Sequence, residues 1–156
     1  MPPPAHHDST VGHAGPDHRG SLHRLGYASL LPFVLLTLLA WLVSPDLVPF
    51  VASALAGYAA TMAALLGGVH WGIGMQQGAH AQHIHFTWGL MPALGAWVAV
   101  MMPPYAGLPL LGLLLVACYL VDRKTWHSPG LRMWLTLRFR QTVISVLCCL
   151  LGAATA

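Results

Sequence analysis

Acidic residues are nearly absent from this 156-residue chain, which contains four Asp and no Glu. Charged residues of both signs make up only 7% of the sequence, whereas a typical soluble domain carries roughly 25%. So few charges exclude the solvated surface of an ordinary globular protein. With 56% hydrophobic residues and a mean hydropathy of +0.65, the composition predicts an integral membrane protein.

Cysteine and recognisable catalytic motifs are also scarce. Cys118, Cys148 and Cys149 lie inside apolar runs without a CxxC spacing, so we interpret them as small buried hydrophobes, neither a disulfide framework nor a metal site. The sequence contains no serine nucleophile elbow, phosphate-binding loop, HExxH motif or pair of catalytic carboxylates. The sequence therefore favours a protein that is not an enzyme, and it leaves the cofactor unknown.

Basic residues are confined to two segments. Arg19 and Arg24 precede the first apolar run, and the others lie between the fourth and fifth runs, at Arg123, Lys124, Arg132, Arg138 and Arg140. Because Lys and Arg accumulate on the cytoplasmic side of a membrane, both segments are expected there. An even number of crossings must separate them, and the sequence offers four. The net charge of +3 is thus interpreted as a signal of topology and of contact with anionic lipid, with no nucleic-acid binding.

The fold class predicted from these runs is all-α, a polytopic bundle of five transmembrane helices. The expected spans are residues 25–43, 48–75, 86–102, 105–121 and 139–156, after a disordered cytoplasmic tail at 1–23. Each run is about 17 residues or longer, enough for a hydrocarbon core of about 30 Å. The expected location is a bacterial inner membrane, with the N-terminus cytoplasmic and the C-terminus periplasmic; the mitochondrial inner membrane is the alternative.

Two connections raise open questions. The polar stretch 76–85 contains three histidines and is predicted to be a loop. The stretch 131–140 is either an interfacial amphipathic helix with its arginines on phosphates or the inner end of span five with arginines that snorkel outward.

Span two carries a regular pattern of small residues. Such residues let the backbones of membrane helices approach closely, and six of them recur here every four positions, at Ala52, Ala56, Ala60, Ala64, Gly68 and Gly72. The pattern predicts that span two is the central helix and that these residues form its packing face. A dimer seam is the alternative interpretation.

His70 lies in span two about five residues before the inner boundary, roughly 8 Å deep. An ionisable group at that depth is costly and normally faces the bundle. Haem ligand, metal ligand and proton relay are functional interpretations. A neutral histidine bonded to a neighbouring helix is favoured, because no second histidine is expected within the membrane.

The five-span topology brings the remaining polar residues of the helices to the cytoplasmic face. The candidate functional layer consists of His70, Trp71, His85, Trp88, Asp122, Arg123 and Arg138. Asp122 is expected to be ionised and paired with Arg123 or Arg138, and a substrate-binding carboxylate is the alternative. Trp71 is expected to be an interfacial anchor.

Several blocks of sequence resemble a known family. GYASLLPF, YAATMAALLGGVHWGIGM, WGLMPALGAWVAVMMP, YLVDRKTW and LRFRQT occur in this order. The combination, over residues 24–152, is similar to the small membrane proteins called domain of unknown function 3429, which include the mitochondrial transmembrane protein 69. The resemblance implies a five-span membrane protein and supplies no activity. The chain departs from the family where a Pro-x-Trp-Tyr run is usual, since Pro129 is followed here by GLRMW.

The leading functional hypothesis is a non-enzymatic accessory or assembly component embedded in the membrane, whose partner is another membrane protein or a second copy. One alternative is a small-solute or proton transport protein that acts as an oligomer. Another is a redox protein that holds haem or quinone near His70.

Overall fold

The computed structural model describes residues 24–77, 83–125 and 134–156. Within them the chain forms five α-helices, which are α1 (Leu31–Leu42), α2 (Val48–Gln77), α3 (His83–Met101), α4 (Pro104–Thr125) and α5 (Leu135–Ala153). Residues 24–28 add a helical segment before α1, and a 3-10 turn, Pro45–Leu47, joins α1 to α2. The predicted tail at 1–23 lies outside the described residues.

Successive helices run antiparallel, so that α1, α3 and α5 point one way and α2 and α4 point the other. Pairs of neighbours show this order: Gly67 of α2 faces Gly89, whereas Gly74 faces Phe86 at the start of α3. Helix α2 contacts every other helix of the bundle. The predicted central position of span two therefore agrees with the packing within the chain.

The lengths of the helices suit a membrane. Among the described residues, four helical segments are long and apolar enough to cross it, namely Arg24–Leu42, Pro45–Gln76, Pro104–Thr125 and Leu135–Ala153. Helix α3 has 19 residues, about 28 Å at 1.5 Å per residue, and runs between α2 and α4. The predicted all-α polytopic bundle is confirmed.

Helical structure extends into the predicted loop at 76–85. Helix α2 continues to Gln77 and α3 begins at His83, so the loop expected there is wrong at both of its ends; residues 78–82 lie outside the described residues. The consequence concerns His85, which was expected in a loop. It lies in the first turn of α3 and is 6% exposed.

The helix of span one is interrupted near its start, although the run of apolar residues is continuous there. Residues 29–30 form a turn between the segment 24–28 and α1, and Pro32 lies in the first turn of α1. A proline fits there because the backbone nitrogen of that position needs no helical acceptor. The Ser29 hydroxyl donates to the Gly26 carbonyl at 2.7 Å and stabilises the turn.

The arginine-rich stretch before span five is helical from Leu135, and Arg138 and Arg140 belong to the continuous helix α5. For residues 135–140 the structure therefore agrees with the second interpretation to the extent that they form the end of a membrane-spanning helix. Residues 131–133 lie outside the described residues.

The small-residue pattern of α2 is only partly the packing face. Ala52 and Ala56 are buried, and Ala60 and Ala64 are half-buried. Gly68 and Gly72 are exposed, and a Cβ added at either would meet no atom within 4 Å; for these two the predicted packing within the chain is wrong. The reason is geometric, because each four-residue step overshoots a helical turn by about 40°, or about 200° over five steps.

The buried face of α2 mixes steps of three and four residues, which follow the helical period. It includes Ala52, Ala56, Ala59, Ala63, Gly67, His70 and Gly74, beside the buried Val51 and Leu55. At Gly67 the backbones of α2 and α3 touch, since a Cβ there would collide with the carbonyl oxygen of Gly89. Small side chains on this face bring His70 close to its neighbours.

Candidate functional site

Asp122 is the centre of a hydrogen-bonded cluster that joins three helices. Its Oδ1 lies 3.0 Å from Nε2 of His70 on α2. Its Oδ2 accepts hydrogen bonds from Arg138 on α5, at 2.7 Å from Nη2 and 3.1 Å from Nε. The carboxylate therefore binds one helix through each of its oxygens while its own backbone belongs to α4.

The cluster lies almost wholly inside the protein. The exposed fraction of the side chain is 1% for His70, 3% for Asp122 and 13% for Arg138. Arginine stays protonated in proteins, and a carboxylate can only accept. The geometry thus fits an ionised Asp122, an Nε2–H on His70 and an ion pair with Arg138. The predicted pairing of Asp122 with Arg138 agrees with this arrangement.

Ordinary helical spacing places these side chains on the buried faces of their helices. On α4 the buried residues recur at intervals of three and four, at Leu108, Leu111, Leu115, Cys118 and Asp122. His70 lies within a similar series of small residues on α2. Asp122 therefore occupies a core position that a leucine would fill elsewhere, and a charge at such a position must find partners within the bundle.

His70 also stacks on a second histidine. The rings of His70 and His85 are 5.7 Å apart between centroids, with 23° between their planes. The Nδ1 atoms of both rings and the Nε1 of Trp88 are buried without a hydrogen-bond partner among the described residues. Because α3 begins earlier than predicted, His85 belongs to a helix and lies directly beside His70. The sequence analysis had not expected a second histidine there.

The other predicted residues of the layer lie at its rim. Trp71 is 42% exposed, and its Nε1–H donates to the carbonyl of Phe86 at 2.9 Å, which ties α2 to the start of α3. Arg123 is exposed and lines a shallow surface groove with Tyr119 and Phe139. Among the described contacts Arg123 does not bind Asp122. Of the two predicted partners, Arg138 is therefore the one that pairs with Asp122.

A second polar group escaped sequence reasoning. Gln141 donates from Nε2 to the Gly26 carbonyl at 2.6 Å, and the Tyr58 hydroxyl donates to the Ser29 carbonyl at 2.8 Å. These bonds fix the segment before α1 against α5 and α2. The available signal was a polar stripe on α5 with spacing i, i+3, i+4, i+7, which consists of Arg138, Gln141, Thr142 and Ser145.

Among the described residues, no group of three or more His, Cys, Asp or Glu side chains comes together. Cys118, Cys148 and Cys149 are buried free thiols. Haem ligation by Nε2 of His70 would break its bond to Asp122, so the cluster favours a structural histidine.

Comparison with known proteins places the chain in a family. Residues 19–154 match a family described as protein of unknown function (DUF3429). The chain belongs to this family. The resemblance predicted from GGVHWG and the ordered blocks around it is thus confirmed. No curated protein and no solved structure matches the chain. Since the family description assigns no activity, the role of this DUF3429 protein must be argued from its geometry.

Substitution of Asp122 tests the cluster. We expect Asp122→Asn to destabilise the protein in detergent far more than Asp46→Asn, because Asp46 is exposed in the turn before α2. Removal of one member of a buried pair strands the other charge, at a cost of about 3–5 kcal/mol when both are fully buried and less where water reaches them. Thermal unfolding of the two variants gives the comparison. Equal melting temperatures of the two variants would show that the Asp122 cluster does not stabilise the bundle.

Proposed function

We propose that the protein is a non-enzymatic accessory or assembly component that acts by packing against another membrane protein. The observation that carries this proposal is the outer face of α2. The central helix of the bundle has a second face, turned away from the core, and that face is built from small residues: Ser53, Gly57, Thr61, Ala64, Gly68 and Gly72.

The small residues of this outer face make few contacts with the rest of the chain. A Cβ added at Gly57, Gly68 or Gly72 would meet no atom within 4 Å. The hydroxyls of Ser53 and Thr61 donate to carbonyls of their own helix, those of Pro49 and Tyr58, at 2.7 Å each. Membrane helices associate across small residues that let two backbones approach. The face has the form of half of such an interface.

The buried polar layer gives less support to transport or redox chemistry. Its two full charges, on Asp122 and Arg138, neutralise each other at 2.7 Å. Toward the opposite end, the bundle is filled by fully buried Leu55, Leu108 and Leu111. Tight apolar packing of this kind favours a static scaffold over a route for ions or protons.

A photo-crosslinker on the outer face of α2 tests the function. Met75 shares that face and is 67% exposed. With p-benzoylphenylalanine at position 75, we expect irradiation of native membranes to yield an adduct with one other membrane protein, identified by mass spectrometry. The matched control is the same substitution at Met91 of α3, which is 50% exposed and should yield no such adduct.

Glycine variants separate the interface from the fold. Gly68→Leu should abolish the adduct at position 75 while thermal stability stays at the wild-type level, since the site is open. Gly67→Leu should destabilise the bundle instead, because its side chain would collide with Gly89. An adduct only between copies of this chain, or no adduct at all, would overturn the accessory role.

We also propose an orientation, with the end of the bundle that carries Asp122 facing the cytoplasm of a bacterial inner membrane. Arg24, Arg123, Lys124, Arg138 and Arg140 all lie near that end, and cytoplasmic flanks are rich in Lys and Arg. A reporter fused after Ala156 should therefore be periplasmic, and one inserted between residues 78 and 82 cytoplasmic. A cytoplasmic signal from the fusion after Ala156 would refute this topology.

A further inference from the structure

A cavity of about 290 Å³ lies between α1, α2, α4 and α5, and its lining includes Arg138 but neither His70 nor His85. One wall is apolar and includes Leu30, Phe33, Met62, Leu66 and Leu115. The other wall comes from α5 and is polar. Ligand pockets range from roughly 300 to 1,000 Å³, and this cavity lies just below that range, so it has room for a small head group.

The polar wall offers donors that the protein itself does not use. Thr142 is 8% exposed and Ser145 is 5% exposed. Among the described residues neither hydroxyl has a hydrogen-bond partner, and neither oxygen is sealed from the cavity. Both residues are more than nine-tenths buried and line the cavity, so a molecule bound there can accept a hydrogen bond from each hydroxyl.

The charge on this wall is already balanced. Arg138 lines the cavity, but its Nε and Nη2 face Asp122 at 3.1 and 2.7 Å. An anion in the cavity would meet a guanidinium whose charge is compensated, in surroundings of low dielectric constant where an uncompensated charge is costly. An uncharged head group with an acceptor oxygen suits the hydroxyls without that cost.

The cavity opens at an apolar part of the protein surface. Leu25 and Leu65 line it and are 66% and 60% exposed, so its mouth lies between the segment before α1 and helix α2. A ligand that enters from the bilayer can leave its apolar tail in this opening while its head group reaches α5.

We propose that this cavity binds one uncharged amphiphile from the bilayer, with a carbonyl oxygen of its head group against Thr142 and Ser145 and its apolar tail between α1 and α2. Such a head group can come from an isoprenoid quinone or from an acylglycerol ester. The site is separate from the outer face of α2 and does not depend on the accessory role.

Binding can be measured on the purified full-length protein by native mass spectrometry with three probes. Decylubiquinone and monolaurin carry carbonyl head groups, and dodecyl phosphate carries an anionic one. We expect one molecule of decylubiquinone or monolaurin per chain, and at least tenfold weaker retention of dodecyl phosphate. Binding of decylubiquinone alone identifies the quinone source, and binding of both identifies a general carbonyl site; each supports the proposal.

Variants locate the site. Ser145→Leu fills the cavity and removes a hydroxyl, and it should lower probe retention at least tenfold. Thr142→Val keeps the shape, removes only the other hydroxyl and should lower retention severalfold with little risk to the fold. The matched control Thr136→Val, at an exposed position of the same helix that does not line the cavity, should bind as the wild type does. Equal binding by wild type and folded Thr142→Val and Ser145→Leu, stronger retention of dodecyl phosphate, or no binding at all would each overturn the proposal.

Discussion

An ionised carboxylate among membrane helices is tolerated only where donors surround it, and Asp122 takes its donors from two other helices. His70 of α2 and Arg138 of α5 approach its two oxygens at 3.0 and 2.7 Å. The demand for these donors fixes the rotation of three helices about their axes, since a turned helix would leave a charge or a ring nitrogen unpaired. Leucines and alanines beyond the cluster supply packing, but apolar contacts between membrane helices are less selective, because lipid is as apolar as the core.

Much of this arrangement follows from the sequence, and the failures have physical causes. Charge placement and apolar runs predicted the helices and the layer that holds His70, Asp122 and Arg138. The choice of Arg138 over Arg123 depends on helix rotation, which charge counting does not contain. His85 was misplaced because polar residues at the end of a membrane helix have the composition of a loop. Gly68 was misplaced because a strict four-residue repeat drifts around a helix by about 40° per step.

Helices α2 and α5 each present two surfaces with different surroundings. One face of α2 packs inward through Gly67 and His70, and the opposite face, around Gly68, is open in the chain. Helix α5 turns Arg138 toward Asp122 and presents Thr142 and Ser145 to the cavity beside α1. On α2 the packed and the open face begin at the neighbouring residues Gly67 and Gly68, whereas on α5 the residues of the cluster and of the cavity wall lie along one stripe.

A double-mutant cycle between Asp122 and Arg138 tests the central claim most directly. The free energies of unfolding of Asp122→Asn, Arg138→Gln and the double variant would be measured by reversible unfolding in mixed micelles. If the two side chains form a buried pair that clamps α4 to α5, the double variant should lose less stability than the sum of the single losses, with a coupling of about 0.5–3 kcal/mol. Additive losses would show that the two residues act independently and would contradict the account.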